Sequence, residues 1–134
     1  MVSGLSHITL IVKDLRRASE FFIKIFNAKE VYSSGDKMFS LSREKFFLIN
    51  GMWICVMEGD RMPYRTYEHI AFKIEGSELE SIIEKIKNVG AQIREGRPRV
   101  QGEGTSVYFY DFDDHLFELH TGNLADRLTA YSEK

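Results

Sequence analysis

Three side chains of types that often bind divalent metals occupy related places in this sequence. His7 and His69 each begin a stretch of alternating side chains, and they lie 62 positions apart. Glu118 lies within an apolar run, where an unpaired carboxylate would be costly or would lose its charge through a raised pKa. Two imidazoles and one carboxylate leave coordination positions open, which suits Lewis-acid chemistry on an oxygen-containing substrate. The residue types therefore predict a metal centre.

Each of these residues also has a simpler interpretation. A single histidine is more often a core residue bonded to the backbone than a metal ligand, and Glu118 could face solvent from an edge strand. We interpret His115 and His120 as structural residues or as neighbours of the ligands. Equivalent placement of His7 and His69 on equivalent strands favours the metal site.

Other side chains could act on water or hold an anion. A base that activates water must lie near the metal without binding it, and Glu44 is the candidate, although Arg43-Glu44-Lys45 could be a charged turn. Guanidinium and hydroxyl groups suit a phosphate-like anion. The candidates of these types are Thr9, Arg97, Arg99, Ser106, Tyr108 and Arg127. The single cysteine, Cys55, is interpreted as a core residue.

An internal repeat relates these positions. Residues 5–60 match residues 67–122 with a shift of 62 and no gap, so that Glu44 falls on Ser106 and Val56 falls on Glu118. Units of this kind bury their faces by pairing. Because valine cannot bind a metal, the match limits the predicted protein ligands to three.

Each copy has the pattern strand, helix and three strands. The strands predicted from alternation and turn signals cover residues 5–12, 29–32, 37–49 (either continuous or broken near Ser42), 52–58, 69–74, 92–94, 105–110 and 116–120. Asp14 is the expected N-cap of the first helix, and Ser77 with Glu80 predicts a capping box for the second. Strands outnumber helices, which predicts an α+β fold of two curved sheets with helices outside.

Composition limits the class of protein. A chain of 134 residues predicts a single domain, with one copy at about residues 1–62, the other at about 63–123 and a C-terminal helix at about 124–132. A net charge of −2 does not indicate the excess of positive charge that is typical of nucleic-acid-binding proteins. No apolar run approaches the ~18 residues of a membrane span. With a single cysteine and no signal peptide, we expect a cytoplasmic protein without membrane contact.

The two βαβββ copies with His7, His69 and Glu118 resemble the vicinal oxygen chelate superfamily across essentially the whole chain. Several separate segments are also similar to the fosfomycin resistance proteins, and most of all to their FosX type, the epoxide hydrolases. These segments are Ser6-His7-Ile-Thr-Leu-Ile-Val, Gly51-Met-Trp-Ile-Cys, Tyr67-Glu-His69-Ile-Ala-Phe, Arg97-Pro-Arg-Val-Gln-Gly-Glu-Gly and Tyr108-Phe-Tyr-Asp-Phe-Asp.

The resemblance implies specific roles. It implies Mn²⁺ as the metal, although other divalent ions fit such ligands, and a homodimer with paired modules. His7 of one chain would then complete a site with His69 and Glu118 of the other. Glu44 falls at the position of the general base. The residues that fall at positions lining the phosphonate and epoxide pocket are Thr9, Tyr67, Ser106, Tyr108 and Arg127.

The expected function is therefore the metal-dependent addition of water to the epoxide of fosfomycin, which yields an inactive diol. A thiol transferase that opens the same epoxide with glutathione or another small thiol is an alternative, although residues 97–104 do not clearly reproduce the potassium-binding loop of those enzymes. Other metal-dependent members, such as glyoxalases, usually carry four protein ligands. A metal-free drug-binding protein is the alternative that is not an enzyme.

Overall fold

The structure is a computed structural model that describes residues 1–134. Its strands are β1 (His7–Val12), β2 (Lys29–Ser33), β3 (Glu44–Ile49), β4 (Met52–Glu58), β5 (His69–Lys73), β6 (Gln92–Arg94), β7 (Ser106–Tyr110) and β8 (Leu116–His120). Its helices are α1 (Leu15–Phe26), α2 (Leu79–Val89) and α3 (Leu124–Ser132), and a 3-10 turn at Gly76–Glu78 precedes α2. None of the helices combines the length and the apolar composition that crossing a membrane requires.

The chain forms two compact units. Unit 1 comprises Met1–Pro63 with Phe112–Asp114, and unit 2 comprises Tyr64–Asp111 with His115–Lys134. Unit 1 contains a sheet in the order β1-β4-β3-β2, and unit 2 contains a sheet in the order β5-β8-β7-β6. The first and last strands of each copy pair in parallel, and the other pairs are antiparallel. The predicted α+β fold of two βαβββ copies is confirmed.

Helix α1 forms as the sequence predicts. The Asp14 side chain accepts hydrogen bonds from the backbone N–H groups of Arg16 and Arg17, which caps the helix. One apolar face is buried and packs against β3 and β4, where the rings of Phe22 and Phe47 lie 5.4 Å apart. The helix ends at Asn27, whose φ of 53° lies in the left-handed region.

Helix α2 begins differently, and the predicted capping box is wrong. The 3-10 turn that precedes α2 is closed by backbone bonds, from Glu78 N–H to the Glu75 carbonyl at 2.9 Å and from Leu79 N–H to the Gly76 carbonyl. No side chain caps α2. Gly90 caps the C-terminal end of the helix, as predicted, and its φ of 87° lies in the left-handed region, which glycine adopts without strain.

The predicted strand over residues 37–49 is correct only in its second half. Strand β3 begins at Glu44, and residues 37–43 form a loop. Backbone bonds from Ser34 N–H to the Glu44 carbonyl and from Lys37 N–H to the Ser34 carbonyl close this loop at its base. A turn therefore replaces the ladder that the alternating pattern predicts there.

The last strands of the two copies differ by one position from the predicted alignment. In unit 1, Cys55 pairs with Phe46, and in unit 2 Glu118 pairs with Tyr108, which is the repeat partner of Phe46. The counterpart of Glu118 is thus Cys55, and the predicted match with Val56 is wrong. Between the equivalent pairs Leu48–Trp53 and Tyr110–Leu116 lie four residues in unit 1 and five in unit 2, and this one additional residue shifts the strand that follows.

Candidate metal centre

His69 and Glu118 meet in unit 2. His69 is the first residue of β5, and Glu118 lies in the middle of β8, the parallel neighbour of β5. Successive side chains of a strand point to opposite faces, which places His69 and Ala71 on one face of β5. Ala71 is paired with Glu118, and the His69 Nε2 atom lies 3.0 Å from Glu118 Oε1. The two side chains that are predicted to bind the metal from this unit therefore lie in contact.

The hydrogen bond on the other ring nitrogen sets the state of His69. Its Nδ1 atom lies 2.7 Å from the carbonyl oxygen of Tyr67, which can only accept a hydrogen bond. In the neutral ring the proton is therefore on Nδ1, and the Nε2 lone pair faces a carboxylate oxygen. A proton on Nε2 can bridge these two atoms, 3.0 Å apart, as a hydrogen bond, and a metal cation bound to both can take its place. The pair thus fits a divalent metal, with the carbonyl fixing the ring as is usual for metal-binding histidines.

Glu118 is charged although it is buried. It is 4% exposed and lies on a strand between two others, so the alternative of a solvent-facing edge residue is wrong. Burial alone would raise the pKa of Glu118, but a hydrogen bond from Ser106 Oγ (2.5 Å) and the positive charge of Arg99 (3.1 Å) lower it below its usual value. A carboxylate that stays ionised is the form that binds a metal.

Arg99 links the carboxylate to a tyrosine. Its guanidinium donates to Tyr108 Oη at 2.7 Å and to Glu118 Oε2 at 3.1 Å. Burial, as the largest cause, raises the pKa of Tyr108 to about 12, so its phenol stays protonated. The Tyr67 hydroxyl lies 3.2 Å from that of Tyr108. Tyr67, Ser106 and Tyr108 therefore lie together around His69 and Glu118.

The Arg127 side chain reaches the same cluster through a histidine. Arg127 Nη2 lies 3.2 Å from His120 Nε2, and His120 Nδ1 lies 2.6 Å from Ser106 Oγ. Because Ser106 donates to Glu118, we assign the proton to His120 Nδ1, and His120 Nε2 then accepts from Arg127. The interpretation of His120 as a neighbour of the predicted ligands fits this series of hydrogen bonds. His115 instead contacts Asp111 in the β7–β8 turn, at 2.7 Å, and is structural.

Glu103 is a functional candidate that the sequence patterns do not indicate. Its side chain is fully buried and accepts bonds from Arg97 (2.6 Å), Arg99 (3.2 Å) and the backbone N–H of Val100 (2.7 Å). The hydrogen bond from Arg97 is the largest of the causes that hold the pKa of Glu103 well below its usual range. Arg127 Nε lies 3.7 Å from the same carboxylate. One buried anion thus gathers three guanidinium groups, and its position between Gly102 and Gly104 was the only available signal.

The remaining candidates lie in unit 1. His7 is exposed at the start of β1, with its ring stacked on Trp53 at 4.1 Å and its Nδ1 atom 2.9 Å from Ser6 Oγ. Thr9 is exposed on the same face of the strand, in agreement with the predicted alternation. Ser6 can orient the ring, and Nε2 of His7 is the nitrogen that would bind a metal.

Glu44 is buried at the start of β3, so its interpretation as part of a charged turn is wrong. Its backbone N–H donates to Ser34 Oγ at 2.9 Å, and its carboxylate Oε1 lies 3.5 Å from the thiol sulfur of Cys55. A neutral thiol rather than a cation therefore contacts this carboxylate. No group of three or more His, Cys, Asp or Glu side chains in the structure is arranged to hold a metal ion. Unit 2 by itself supplies two of the three predicted ligands.

Known proteins share both the sequence and the fold. A sequence model of the Glyoxalase/Bleomycin resistance protein/Dioxygenase superfamily matches residues 4–119. The fosfomycin resistance protein FosX of Listeria monocytogenes is 62% identical over 133 residues, which cover 99% of this chain and 100% of the relative. The metallothiol transferase FosB of Shouchella clausii is 38% identical over 138 residues, which cover 99% and 90% of the two chains.

A solved structure extends the likeness to the fold. A variant of FosX from Listeria monocytogenes, in complex with Mn(II) and 1S,2S-dihydroxypropylphosphonic acid, has a TM-score of 0.89 and 59% identity, covering 98% of this chain and 99% of that one. The chain therefore belongs to the Glyoxalase/Bleomycin resistance protein/Dioxygenase superfamily and, within it, to the FosX family of fosfomycin resistance proteins.

Proposed function

We propose that the protein is a Mn²⁺-dependent hydrolase that inactivates fosfomycin by adding water to its epoxide. The single observation that carries the metal chemistry is the 3.0 Å approach of His69 Nε2 to Glu118 Oε1, which brings an imidazole nitrogen and a carboxylate oxygen close enough to bind one ion. The FosX relative is solved with Mn(II) and a dihydroxypropylphosphonic acid. A vicinal diol on a phosphonate is the compound that water produces when it opens an epoxypropyl phosphonate.

The metal would be held by His69 and Glu118 of one chain together with His7 of a second chain. Bound there, it supplies a Lewis acid that stabilises negative charge on the epoxide oxygen as the ring opens. The Tyr67 carbonyl and Ser106 hydroxyl orient the two ligands of unit 2.

Charge and hydroxyl donors around Glu118 would hold the phosphonate. Arg99 and Tyr108 lie beside the carboxylate, and Arg127 is linked to it through His120. Guanidinium groups match the oxygens of a phosphonate, and fixed donors orient the substrate for attack. The full set of proposed substrate-binding residues is Thr9, Tyr67, Ser106, Tyr108 and Arg127, with Arg99 added from its position in the structure.

Glu44 would act as the general base. Its carboxylate takes one proton from a water molecule while the water oxygen bonds to the epoxide carbon that carries phosphorus. The bond from that carbon to the ring oxygen breaks, the ring oxygen takes a proton from bulk water, and Glu44 returns its proton to bulk water, which completes the diol and restores the base. Burial of Glu44 on a strand, with a neutral thiol as its neighbour, supports this role.

The site would be completed in a homodimer, with His7 of one chain joining His69 and Glu118 of the second. The presence of only two of the three ligands in unit 2 supports this arrangement. Residues 1–134 would then act as one functional domain with two modules. A free, buried cysteine is compatible with the cytoplasmic location that we also propose.

Phosphorus NMR of fosfomycin incubated with the Mn²⁺-loaded protein tests this function. We expect conversion to the diol at the same rate with and without glutathione, and no conversion after chelation of the metal. A product that incorporates the thiol would identify a transferase of the FosB kind, which 38% identity keeps as the second candidate. Unchanged fosfomycin that stays bound to the chelated protein would identify a drug-binding protein.

A further inference from the structure

The thiol of Cys55 faces a carboxylate instead of other core side chains. Cys55 lies on β4, directly beside β3, and its Sγ atom is 3.5 Å from Glu44 Oε1. Both side chains are buried, at 4% and 7% exposure. The interpretation of Cys55 as a buried residue is correct, but its contact is polar. Thr9 is the residue of β1 that is paired with Cys55 of β4.

The thiol is a donor to this carboxylate at neutral pH. Burial, as the largest cause, and the hydrogen bond to Glu44 raise the pKa of the Cys55 thiol to about 11. The S–H group therefore keeps its proton, and such a thiol is neither a nucleophile nor a ready metal ligand. Because a carboxylate only accepts hydrogen bonds, the proton must lie on the line from Sγ to Oε1.

Unit 2 contains the same arrangement with the donor and the acid exchanged. In unit 2 the donor is Ser106, the first residue of β7, and the acceptor is Glu118 of β8. Glu118 occupies the position in β8 that Cys55 occupies in β4. In unit 1 the first residue of β3 is the acid, Glu44, and the donor comes from the other strand. In both units a neutral donor holds one oxygen of a buried carboxylate and leaves the other oxygen for a further partner.

We propose that Cys55 is a positioning residue for Glu44, whose carboxylate it holds through an S–H···O hydrogen bond so that the second oxygen faces the attacking water. This inference rests on the proposed function for the role of Glu44. A thiol suits this role because it is a weak donor, and it orients the carboxylate while withdrawing less negative charge than a hydroxyl would.

The hydrogen bond can be tested without any activity assay. The chain contains one cysteine, so the S–H stretching band in an infrared spectrum belongs to Cys55 alone. We expect this band to shift to higher frequency in Glu44→Gln, because an amide oxygen is a weaker acceptor than a carboxylate. The matched control is Glu30→Gln, which makes the same change at an acid bonded to Ser19 and Lys45, and should leave the band in place. An identical band in the wild type and Glu44→Gln would overturn the proposal.

Kinetics of two substitutions at the same position test positioning. We expect Cys55→Ala to lower kcat for fosfomycin hydration about tenfold with KM and Mn²⁺ affinity unchanged, and Cys55→Ser, which keeps a donor, to recover kcat to within about threefold of the wild type. A wild-type kcat in Cys55→Ala, or an equal loss in both variants, would overturn the positioning role while hydration stands. If the wild type hydrates no fosfomycin, the proposed function fails, and the positioning role falls with it; the infrared result still decides the hydrogen bond.

Discussion

The two units build different chemistry on one strand arrangement. In unit 2 the buried acid Glu118 receives Ser106 and the positively charged Arg99, and it lies beside His69. In unit 1 the carboxylate of the buried Glu44 accepts a hydrogen bond from the neutral thiol of Cys55. Environment sets the role of a carboxylate. A duplicated fold can therefore give one buried acid a charged, hydrogen-bonded environment and the other acid a neutral one.

A second difference lies in how each unit supplies donors for an anion. Unit 2 gathers three arginines around the buried Glu103, and one of them reaches Glu118. In unit 1 the face that carries His7 and Thr9 offers an imidazole and a hydroxyl. Unit 2 therefore offers more positively charged donors for an anion than the face of β1 that carries His7 and Thr9.

Loss of a metal ligand should have the largest effect. We expect His69→Ala to weaken Mn²⁺ binding by more than the ~10–100-fold that loss of an outer-shell partner costs, and to abolish hydration. The matched control is His115→Ala, which removes an imidazole bonded to Asp111 in the same unit and should keep the metal. Electron paramagnetic resonance of free Mn²⁺ measures both affinities. Equal affinities for the two variants would exclude His69 as a ligand.

Glu44→Gln should separate the roles of the two acids. Without a base, the hydration rate should fall about 10²–10⁴-fold, while Mn²⁺ and fosfomycin still bind, because Glu44 is not a predicted ligand of either. Glu118→Gln, by contrast, should lose the metal. Phosphorus NMR gives the rate, and calorimetric titration gives the two affinities. Loss of Mn²⁺ binding in Glu44→Gln would contradict the division of roles between the units.

Much of the fold could be predicted because repetition reinforces weak local signals. His7 and His69 mark equivalent strands, and alternation along each strand assigns the faces correctly. The contact of His69 with Glu118 follows from the same pattern. Their roles as ligands remain predictions, as do those of the other proposed site residues.

The errors come from features that periodicity does not encode. One additional residue in the β7–β8 hairpin shifts the register, which hid Cys55 as the counterpart of Glu118. No side chain caps α2, where Ser77 was the expected cap, and a 3-10 turn with its own backbone bonds precedes the helix. Glu103 depends on arginines brought together by a loop, and that contact is absent from any pattern of single strands or helices.

Mixing two inactive variants tests whether the units act across chains. His7→Ala lacks a ligand of unit 1, and Glu118→Gln lacks one of unit 2. If sites are shared in a homodimer, random re-association should restore about a quarter of the wild-type activity, because half of the dimers are mixed and each mixed dimer has one intact site. Denaturation and refolding of the mixture followed by the hydration assay measures this recovery. A site contained within one chain would remain inactive after mixing.

Helix caps should show the smallest difference between the units. Asp14→Ala removes bonds to two backbone N–H groups of α1, so we expect it to lower the free energy of unfolding by about 1 kcal/mol. Ser77→Ala should change that free energy by less than about 0.5 kcal/mol, because no side chain caps α2 and the backbone bond of the 3-10 turn remains. Urea unfolding of the metal-free proteins measures both changes. Equal losses would mean that Ser77 caps α2 in solution, and the two helices would then begin alike.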